Sequence, residues 1–300
     1  INLDASVLGP NFSAAAAPSL KTIITEVTRH VPAIGARFDD GGAIIGPTVF
    51  DSWISREPDV FLLGHPKFGD LGGGSDHIAF WCRAGVPSAA PGSGGAFGSA
   101  YHSVYDTLKW YRQNVSDDYE PARMVTQVVI GTLARLAGDE EPPLDNARIF
   151  HDFGRRLHEL AAIAEKKLPS AVAEIHRAIP RAAGVAKAIE SAGVRYRESK
   201  PRAALAPGGS EHGRSPLHAF QQSLNTPSGL PFRAWFRNEL ASPDADSGYS
   251  AWVLPRLTRA IDRDDAMAAK LAAEFYNDLL LRAERAASAD RGPANEPPTK

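Results

Sequence analysis

The positions of the apolar residues predict a short strand and a longer helix near the start of the chain. Residues 1–4 are apolar and end in Asp4, a pattern typical of a buried strand. Residues 19–31 repeat apolar side chains at helical spacing, and Ser19 is suited to be the N-cap of this helix. Residues 35–50 contain several glycines and Pro47, so they are expected to be mostly loop, followed by a short helix over 49–55.

Residues 72–100 predict a loop, a helix, a strand and a second loop, in that order. Three glycines lead to Ser75, which is placed as an N-cap, and Asp76 follows in the first helical turn, where its charge suits the helix dipole. Ile78, Ala79 and Cys82 form the apolar face of this helix. Gly85 ends the helix, residues 86–90 form a short strand, and residues 91–100 form a Gly- and Ser-rich loop. This order is an α/β pattern.

The second half of the chain changes character. A strong helix is predicted over 118–137, and the acidic, proline-containing stretch 139–143 then marks a domain boundary. Beyond it, helices are expected over 145–168, 170–194, 217–225 and 264–288, with 200–216 as a loop and no strand pattern. The last of these helices is expected to turn Met267, Leu271, Phe275, Leu279 and Leu280 inward. The domains are therefore 1–141 (α/β), 142–288 (a helical bundle) and 289–300 (a disordered tail).

Composition narrows the possible functions. The formal net charge is −2, so no overall field favours nucleic acid or an anionic membrane. The one cysteine, Cys82, excludes an internal disulfide and a cysteine-rich zinc module, and its helical position indicates a buried residue. No apolar run reaches the ~18 residues that a membrane-spanning helix needs. The chain opens without methionine or a leader, which is expected of a truncated or processed protein.

Two residues are candidate metal ligands. A catalytic zinc ion takes His nitrogen and Asp or Glu oxygen and keeps one position open for water. Asp4 is placed at the end of a strand, where α/β sheets hold their ligands. His102 follows a glycine-rich loop, and Asp106 could orient its imidazole as an outer carboxylate. For either residue alone, a turn-forming Asp or an ordinary surface or core histidine is the competing interpretation, and the chain has 9 histidines.

In this order the motifs resemble the M28 zinc peptidases, in the branch that contains glutamate carboxypeptidase II and the transferrin receptor. Residues 1–6 (INLDAS) resemble the strand that ends in a zinc-binding Asp. Residues 71–80 (LGGGSDHIAF) resemble the Gly-Ser-Asp segment of the substrate cleft, and residues 101–107 (YHSVYDT) resemble the segment that supplies the last zinc-binding His. Residues 85–88 (GVPS) match the following strand of the family, and residues 228–236 (SGLPFRAWF) resemble the helical dimerisation domain of this branch.

The resemblance implies a fold and a mechanism. The fold is part of the M28-type (phosphorylase/hydrolase-like) mixed sheet with flanking helices, followed by an all-α helical dimerisation domain. Two zinc ions activate a water molecule for peptide hydrolysis, with Asp4 on one ion and His102 on the other. Substrate contacts are implied for Gly73, Gly74, Ser75, Tyr101 and Tyr249. Tyr101 could donate a hydrogen bond to the developing oxyanion.

The departures from the family pattern matter equally. The family's first His ligand, its bridging Asp and its pair of glutamates (general base and ligand) precede the segment at which this chain begins, so this chain alone is expected to bind zinc poorly and to be inactive. Glutamate-selective members have arginines after the strand that matches 86–88, and this chain reads AAPGS there. A lysine before the substrate-contacting tyrosine is replaced by Gly248. Both changes indicate a less acidic substrate.

Three interpretations remain open at this stage. The parent protein is a zinc exopeptidase, or it is a non-catalytic, dimerising receptor-like protein, or this chain is a helical interaction module attached to an α/β remnant. Retention of both Asp4 and His102 favours the enzyme. Expected partners are a peptide substrate and a second copy bound through the helical domain. The resemblance implies a secreted, periplasmic or membrane-anchored ectodomain for the parent.

Overall fold

A computed structural model describes residues 1–38, 41–138, 142–199 and 224–289, and these residues fall into two compact units. The first unit comprises Ile1–Trp81 and Val86–Asp145. The second comprises Cys82–Gly85 and the chain from Asn146 onward. Four residues of the predicted first domain, 82–85, therefore cluster with the second unit, while the predicted boundary stretch lies partly outside the described residues.

The first unit is built on two antiparallel strands, β1 (Asn11–Ala16) and β4 (Ala89–Gly94). Their register sets Asn11 opposite Gly94 and Ala16 opposite Ala89. Parallel bridges extend this pair on both edges, because Val7 pairs with Ser93 and Ala15 pairs with Gly69. Between these strands, β2 (Arg37–Phe38) and β3 (Ile44–Ile45) form a small antiparallel pair of their own.

Four helices accompany these strands: α1 (Pro18–Thr28), α2 (Val49–Arg56), α3 (Leu108–Asn114) and α4 (Glu120–Gly138). Pro18 is in the first turn of α1, where a missing backbone N–H breaks no helical bond. α2 begins with a capping box between Thr48 and Asp51. α2 contacts β1, α4 contacts β4, and α1 contacts both α2 and α4.

Trp53 of α2 lies in the core of the first unit and is fully buried. Its ring makes edge-to-face contacts with Phe12 at 5.1 Å and with Phe68 at 4.7 Å between centroids. The inward faces of α1 and α4 complete this core. Each such ring pair stabilises the core by about 0.5–1.5 kcal/mol beyond its buried area.

Several sequence predictions for the first unit are wrong. Residues 1–4 form no strand, and the mixed sheet is not confirmed, since the described strands form two-stranded antiparallel pairs. The first strand of the chain is instead β1, which the sequence pattern did not predict. Residues 91–94, predicted as loop, belong to β4. Ser19 lies inside α1 and is not its cap. The predicted helix at 49–55 is confirmed as α2, and the helix at 118–137 is confirmed as α4.

The second unit is mainly helical. α5 (Asn146–Lys167) and α6 (Val172–Ser199) are joined by the 3-10 turn Pro169–Ala171 and form an antiparallel hairpin. α7 (Pro255–Asp262) packs on α5, and α8 (Ala266–Ala289) packs on α6 and α7. The core between them is closed by large side chains that are fully buried, namely Phe150, Phe153, Leu157, Ile175, Leu257, Ile261 and Tyr276.

Two predictions for this unit are wrong, and others lie outside the described residues. An antiparallel hairpin of β5 (Ala241–Pro243) and β6 (Ala251–Val253) occurs where no strand was expected. Met267 and Leu271, expected to face inward, are 67% and 58% exposed. The predicted loop 200–216 and nearly all of the helix 217–225 and of the tail 289–300 are outside the described residues. The helices predicted at 145–168, 170–194 and 264–288 are confirmed.

Candidate functional site

Asp4 lies in an exposed bend rather than at the end of a buried strand. Ile1 and Leu3 are 43% and 51% exposed, so the apolar residues before Asp4 are not covered in this unit. One backbone bond fixes the segment, because the Asn2 N–H donates to the Ala89 carbonyl at 2.8 Å. Asp4 is consequently not part of a strand, and its carboxylate is accessible to solvent.

Ser75 joins the glycine-rich loop to Asp4. Its hydroxyl donates to Asp4 Oδ2 at 2.9 Å and accepts a bond from Asn2 Nδ2 at 2.7 Å. The predicted N-cap role for Ser75 is therefore wrong, since its side chain is turned toward the N-terminal segment. Helical structure begins only after Asp76 and continues as a π-helical turn, Ala79–Ala84, so that Ala79 is exposed while Cys82 is buried. Gly85 follows the end of this turn with φ +68, as a helix-terminating glycine requires.

His77 fixes the other side of the same loop. Its ring is buried, at 6% exposure, and Nε2 lies 2.9 Å from the Gly72 carbonyl oxygen. Because a carbonyl only accepts, Nε2 carries the proton. The loop 72–75 is thus held at one end by His77 and at the other by the bond from Ser75 to Asp4. Gly74 adopts φ +77 between these two anchors, a conformation that glycine tolerates best.

His102 lies in a tight turn with φ 57, in the left-handed region. Its imidazole stacks on the Tyr101 ring, with centroids 3.8 Å apart and an interplanar angle of 19°. Two serines hold the turn: Ser99 Oγ accepts from the Tyr101 N–H at 3.1 Å, and the Ser103 hydroxyl donates to the Ala100 carbonyl at 2.7 Å. The stacked pair is exposed, so both rings are available to a ligand.

Asp106 follows this turn without bonding the imidazole in the part of the chain that the structure describes. Its backbone N–H donates to the Ser103 carbonyl at 3.2 Å, and its side chain is exposed. Thr107 then caps α3 by accepting from the Trp110 N–H at 3.2 Å. A role for Asp106 in orienting His102 therefore stays a prediction.

Tyr249 belongs to the second unit, in the loop between β5 and β6. Its side chain is 64% exposed. The loop is organised by Asp244, whose pKa is held well below its usual range by hydrogen bonds from the Ser247 hydroxyl and from backbone N–H groups. Asp244, Asn2 and His77 are ordering residues that sequence reasoning did not single out. For Asp244 a signal existed, since it opens the stretch Asp-Ala-Asp-Ser-Gly, and Asp, Ser and Gly are typical of a side-chain-stabilised turn.

The described residues do not fit a complete zinc site. Asp4 offers a carboxylate oxygen and His102 an imidazole nitrogen, both suitable donors. Among residues 1–38, 41–138, 142–199 and 224–289, however, no three His, Cys, Asp or Glu side chains are grouped so as to hold a metal ion. Two donors leave a tetrahedral zinc ion short of the three protein ligands that catalytic sites supply.

Comparison with known proteins gives matches to both halves of the chain. Residues 166–288 match the transferrin receptor-like dimerisation domain. A probable glutamate carboxypeptidase of Arabidopsis thaliana is 25% identical over 95% of this chain and 39% of its own length. A probable glutamate carboxypeptidase of Zea mays is 26% identical over 99% of this chain and 40% of its own length. A glutamate carboxypeptidase 2 homolog of Caenorhabditis briggsae is 36% identical over 29% of this chain and 11% of its own length.

The chain thus spans 39% and 40% of the length of the two plant relatives it matches. Within the described residues, no helix is both long enough and apolar enough to cross a membrane.

Proposed function

We propose that this chain, whose resemblance to the transferrin receptor-like and glutamate carboxypeptidase II-like branch of the M28 peptidases is confirmed by these matches, forms part of a zinc-dependent exopeptidase. The parent protein hydrolyses peptides with water activated by two zinc ions, and Asp4 and His102 are ligands to them. The first His ligand, the bridging Asp and the glutamate pair are supplied by sequence outside this chain.

The bond from Ser75 to Asp4 is the observation that supports this proposal most directly. It connects the segment that resembles the substrate cleft to the residue that resembles a metal ligand, although the two lie 71 positions apart in sequence. The buried anchor of the same loop, His77, further supports a fixed loop at this place.

The substrate side of the proposal concerns the glycine-rich loop and the turn that holds Tyr101. In the first unit, the proposed peptide contacts are Gly73, Gly74, Ser75 and Tyr101. Residues 89–93 contain no arginine and Gly248 replaces a lysine, so the preferred peptide carries a neutral rather than an acidic C-terminal residue.

The experiment compares this chain with the full-length parent. The parent is expected to hydrolyse peptides with neutral C-terminal residues faster than matched acidic ones, and 1,10-phenanthroline is expected to abolish that activity. In the parent, Asp4→Asn and His102→Gln should each lower kcat/KM strongly, while His176→Gln serves as the control, because that side chain is 49% exposed on α6. This chain alone should bind zinc weakly and leave the peptides intact. Chelator-sensitive hydrolysis by the isolated chain would contradict the assignment of the remaining ligands.

A non-catalytic receptor-like protein is the second candidate, and the match of 166–288 to a transferrin receptor-like domain is the observation that favours it. A parent that binds no zinc and hydrolyses none of the peptides, while remaining folded and dimeric, would support this alternative over the enzyme.

Homodimerisation through the helical unit is proposed for either candidate. Met267 and Leu271 lie one turn apart on the outer face of α8 and are 67% and 58% exposed, which is unfavourable unless a partner covers them. A second copy is the partner that the dimerisation-domain match supports. The double variant Met267→Glu/Leu271→Glu should elute as a monomer with light-scattering detection, whereas Arg285→Glu, farther along the same helix, should stay dimeric. A wild-type monomer would contradict the proposal.

A further inference from the structure

The helix α8 buries one face and exposes the other. Its inward face packs on α6 and α7 and consists of Ala269, Ala272, Ala273, Tyr276, Leu279, Leu280 and Ala283. The opposite face carries exposed side chains that follow each other at steps of three or four residues: Met267, Leu271, Glu274, Asp278, Arg282 and Arg285. Such steps place side chains on a single side of a helix, so these residues form one continuous stripe, the outer face of α8.

The residue types on the outer face are sorted along the helix. The apolar side chains come first, the acidic ones follow, and the arginines end the stripe. Asp278 and Arg282 are four residues apart with the acid first, the order that favours an ion pair within one helix. Within the described residues, however, neither of them takes part in an ion pair. Both charges are therefore available to a partner.

A second copy of α8 complements this order when it runs in the opposite direction. A parallel copy in register sets each acidic residue beside the same acidic residue, and like charges repel. In an antiparallel copy, related by a two-fold axis level with Leu280, Asp278 lies opposite the partner's Arg282. The symmetry repeats this contact, so Arg282 lies opposite the partner's Asp278.

The same axis suits the rest of the outer face. Glu274 is then level with the partner's Ala286, beside the partner's Arg285. Leu271 is level with the last turn of the partner's α8, where the sequence of residues 286–289 is Ala-Ala-Ser-Ala. The contact between Glu274 and the partner's Arg285 lies toward the rim, where exposed ion pairs contribute little, so Arg285→Glu alone leaves the dimer intact.

Neighbouring registers are unfavourable. An axis level with Asp278 sets that carboxylate against the partner's Asp278. An axis level with Tyr276 sets Glu274 opposite the partner's Asp278, again a pair of like charges. Because like charges across an interface oppose association, the order of charges on the outer face selects both the direction and the register of the two helices.

We propose that α8 pairs with α8 of a second copy in antiparallel orientation, with Asp278 and Arg282 forming two central ion pairs related by symmetry. The inference rests on the homodimerisation proposed above and adds the direction, the register and the residues that fix them. The central pairs act chiefly by excluding other arrangements, since exposed opposite charges stabilise little. Met267 and Leu271 supply apolar burial in the same interface.

The test exchanges charges between two chains of the full-length parent. Asp278→Arg gives a chain with arginine at both central positions, and Arg282→Asp gives a chain with aspartate at both. Alone, each variant brings like charges together at both central contacts, and its dimer dissociation constant should rise about tenfold or more at low salt. Mixed in equal amounts, the two variants should form a heterodimer with the wild-type affinity, because every central contact again joins an acid to a base.

Native mass spectrometry of chains with different affinity tags distinguishes homodimers from heterodimers, and analytical ultracentrifugation gives the dissociation constants. One chain with both exchanges, Asp278→Arg/Arg282→Asp, should dimerise with itself. Lys187→Asp reverses a charge at an exposed site on α6 and is the matched control, whose dissociation constant should equal that of the wild type. Rescue on mixing cannot arise from a contact within one helix, and far-UV circular dichroism checks that each variant is folded.

The outcomes separate this inference from the homodimer on which it rests. Unchanged dissociation constants in Asp278→Arg and Arg282→Asp overturn the inference, because these charges then lie outside the interface. Weakened single variants that neither mixing nor the double exchange restores also overturn it, because the helices then pair in another direction or register. In both cases a wild-type dimer leaves the homodimerisation proposal standing, whereas a wild-type monomer contradicts that proposal itself.

Discussion

Ser75 Oγ donates to Asp4 Oδ2 at 2.9 Å while accepting from Asn2 Nδ2 at 2.7 Å. The hydroxyl thereby orients a carboxylate that would otherwise rotate freely in an exposed bend. Partners of this kind tune metal-binding carboxylates, and their removal typically costs about 10–100-fold in affinity or activity.

Ser75→Ala in the full-length parent should therefore lower zinc affinity or kcat/KM about 10–100-fold, because Asp4 loses its orienting donor. Ser75→Thr retains the hydroxyl and should retain most of the function. Zinc titration monitored by calorimetry and peptide hydrolysis are the two measurements. Equal zinc affinity and equal rates in Ser75→Ala and the wild type would show that Asp4 needs no such partner.

The buried ion pair of the second unit gives a stability prediction. Glu239, 1% exposed, accepts from Arg256 Nε at 2.8 Å and from Nη2 at 2.7 Å, and also from the Thr226 hydroxyl. Arg256→Met leaves that carboxylate buried without its cation and should destabilise the unit by about 3–5 kcal/mol. The control Arg263→Ala removes an exposed pair with Asp246 and should cost about 0–1 kcal/mol. Urea unfolding followed by circular dichroism measures both; similar costs for the two variants would contradict the prediction.

The cap of α2 gives a pH prediction. Hydrogen bonds from the Thr48 hydroxyl and the Thr48 N–H hold the pKa of Asp51 below its usual value of 3.8. Folding favours the ionised carboxylate of Asp51, because only the folded state supplies its hydrogen bonds. This contribution to the free energy of unfolding is therefore present above about pH 4 and is lost as the pH falls through the lowered pKa of the folded state. Asp51→Ala should lower the free energy of unfolding by about 1 kcal/mol at pH 7.

The same comparison at pH 3 should give a smaller difference between Asp51→Ala and the wild type, since part of the wild-type carboxylate is then protonated. Asp70→Ala, at an exposed position in the same unit, is the control. A difference that stays constant or grows between pH 7 and pH 3 would be inconsistent with this cap.

Two glycines of the second unit allow the cost of a left-handed backbone to be measured apart from the cost of a steric clash. Gly229 has φ +80, and a Cβ there would lie 2.1 Å from the Ala234 carbonyl oxygen, whereas Gly248 has φ +73 and open space around it. Gly248→Ala should cost about 1–2 kcal/mol, from the left-handed backbone alone. Gly229→Ala should cost clearly more, because the backbone at Ala234 has to move. Urea midpoints at equal slope give both values; equal costs would mean that the loop at Ala234 yields readily.

The helices were predictable because their apolar spacing was strong. In α4, Met124, Val125 and Val128 repeat on one face, and all three are buried. β1 was missed because two of its three inward residues are alanines, Ala14 and Ala16, which give little hydrophobic signal and are depleted in strands. The strand forms because it pairs with β4, and that pairing is not visible in local sequence.

The inward face of α8 was misassigned for a related reason. The sequence pattern favoured the large side chains Met267 and Leu271, yet the buried stripe runs through Ala269, Ala272, Ala273 and Tyr276. Small residues let helices approach closely, so an alanine stripe can be the packed face. Periodicity alone does not distinguish it from a stripe of larger residues that faces outward.

For the candidate site, the sequence predicted individual residues but not the contacts between them. Asp4 and Ser75 were both predicted as site residues. The bond between them could not be predicted, because they are 71 positions apart and only the fold brings them together. The Asp244 network is local, and its turn chemistry was legible in the Asp-x-Asp-Ser-Gly spacing.

Because Trp53 is fully buried, its fluorescence can report on the folding of the first unit. Its indole is packed against Phe12 and Phe68, so its fluorescence maximum should be blue-shifted when that core is intact and should move to longer wavelength when it opens. Trp252, 6% exposed, offers the same readout in the second unit. The chain has 5 tryptophans. Variants that keep only Trp53 or only Trp252, with the other indoles replaced by Phe, would give one melting curve for each unit and would show whether the units unfold together or in sequence.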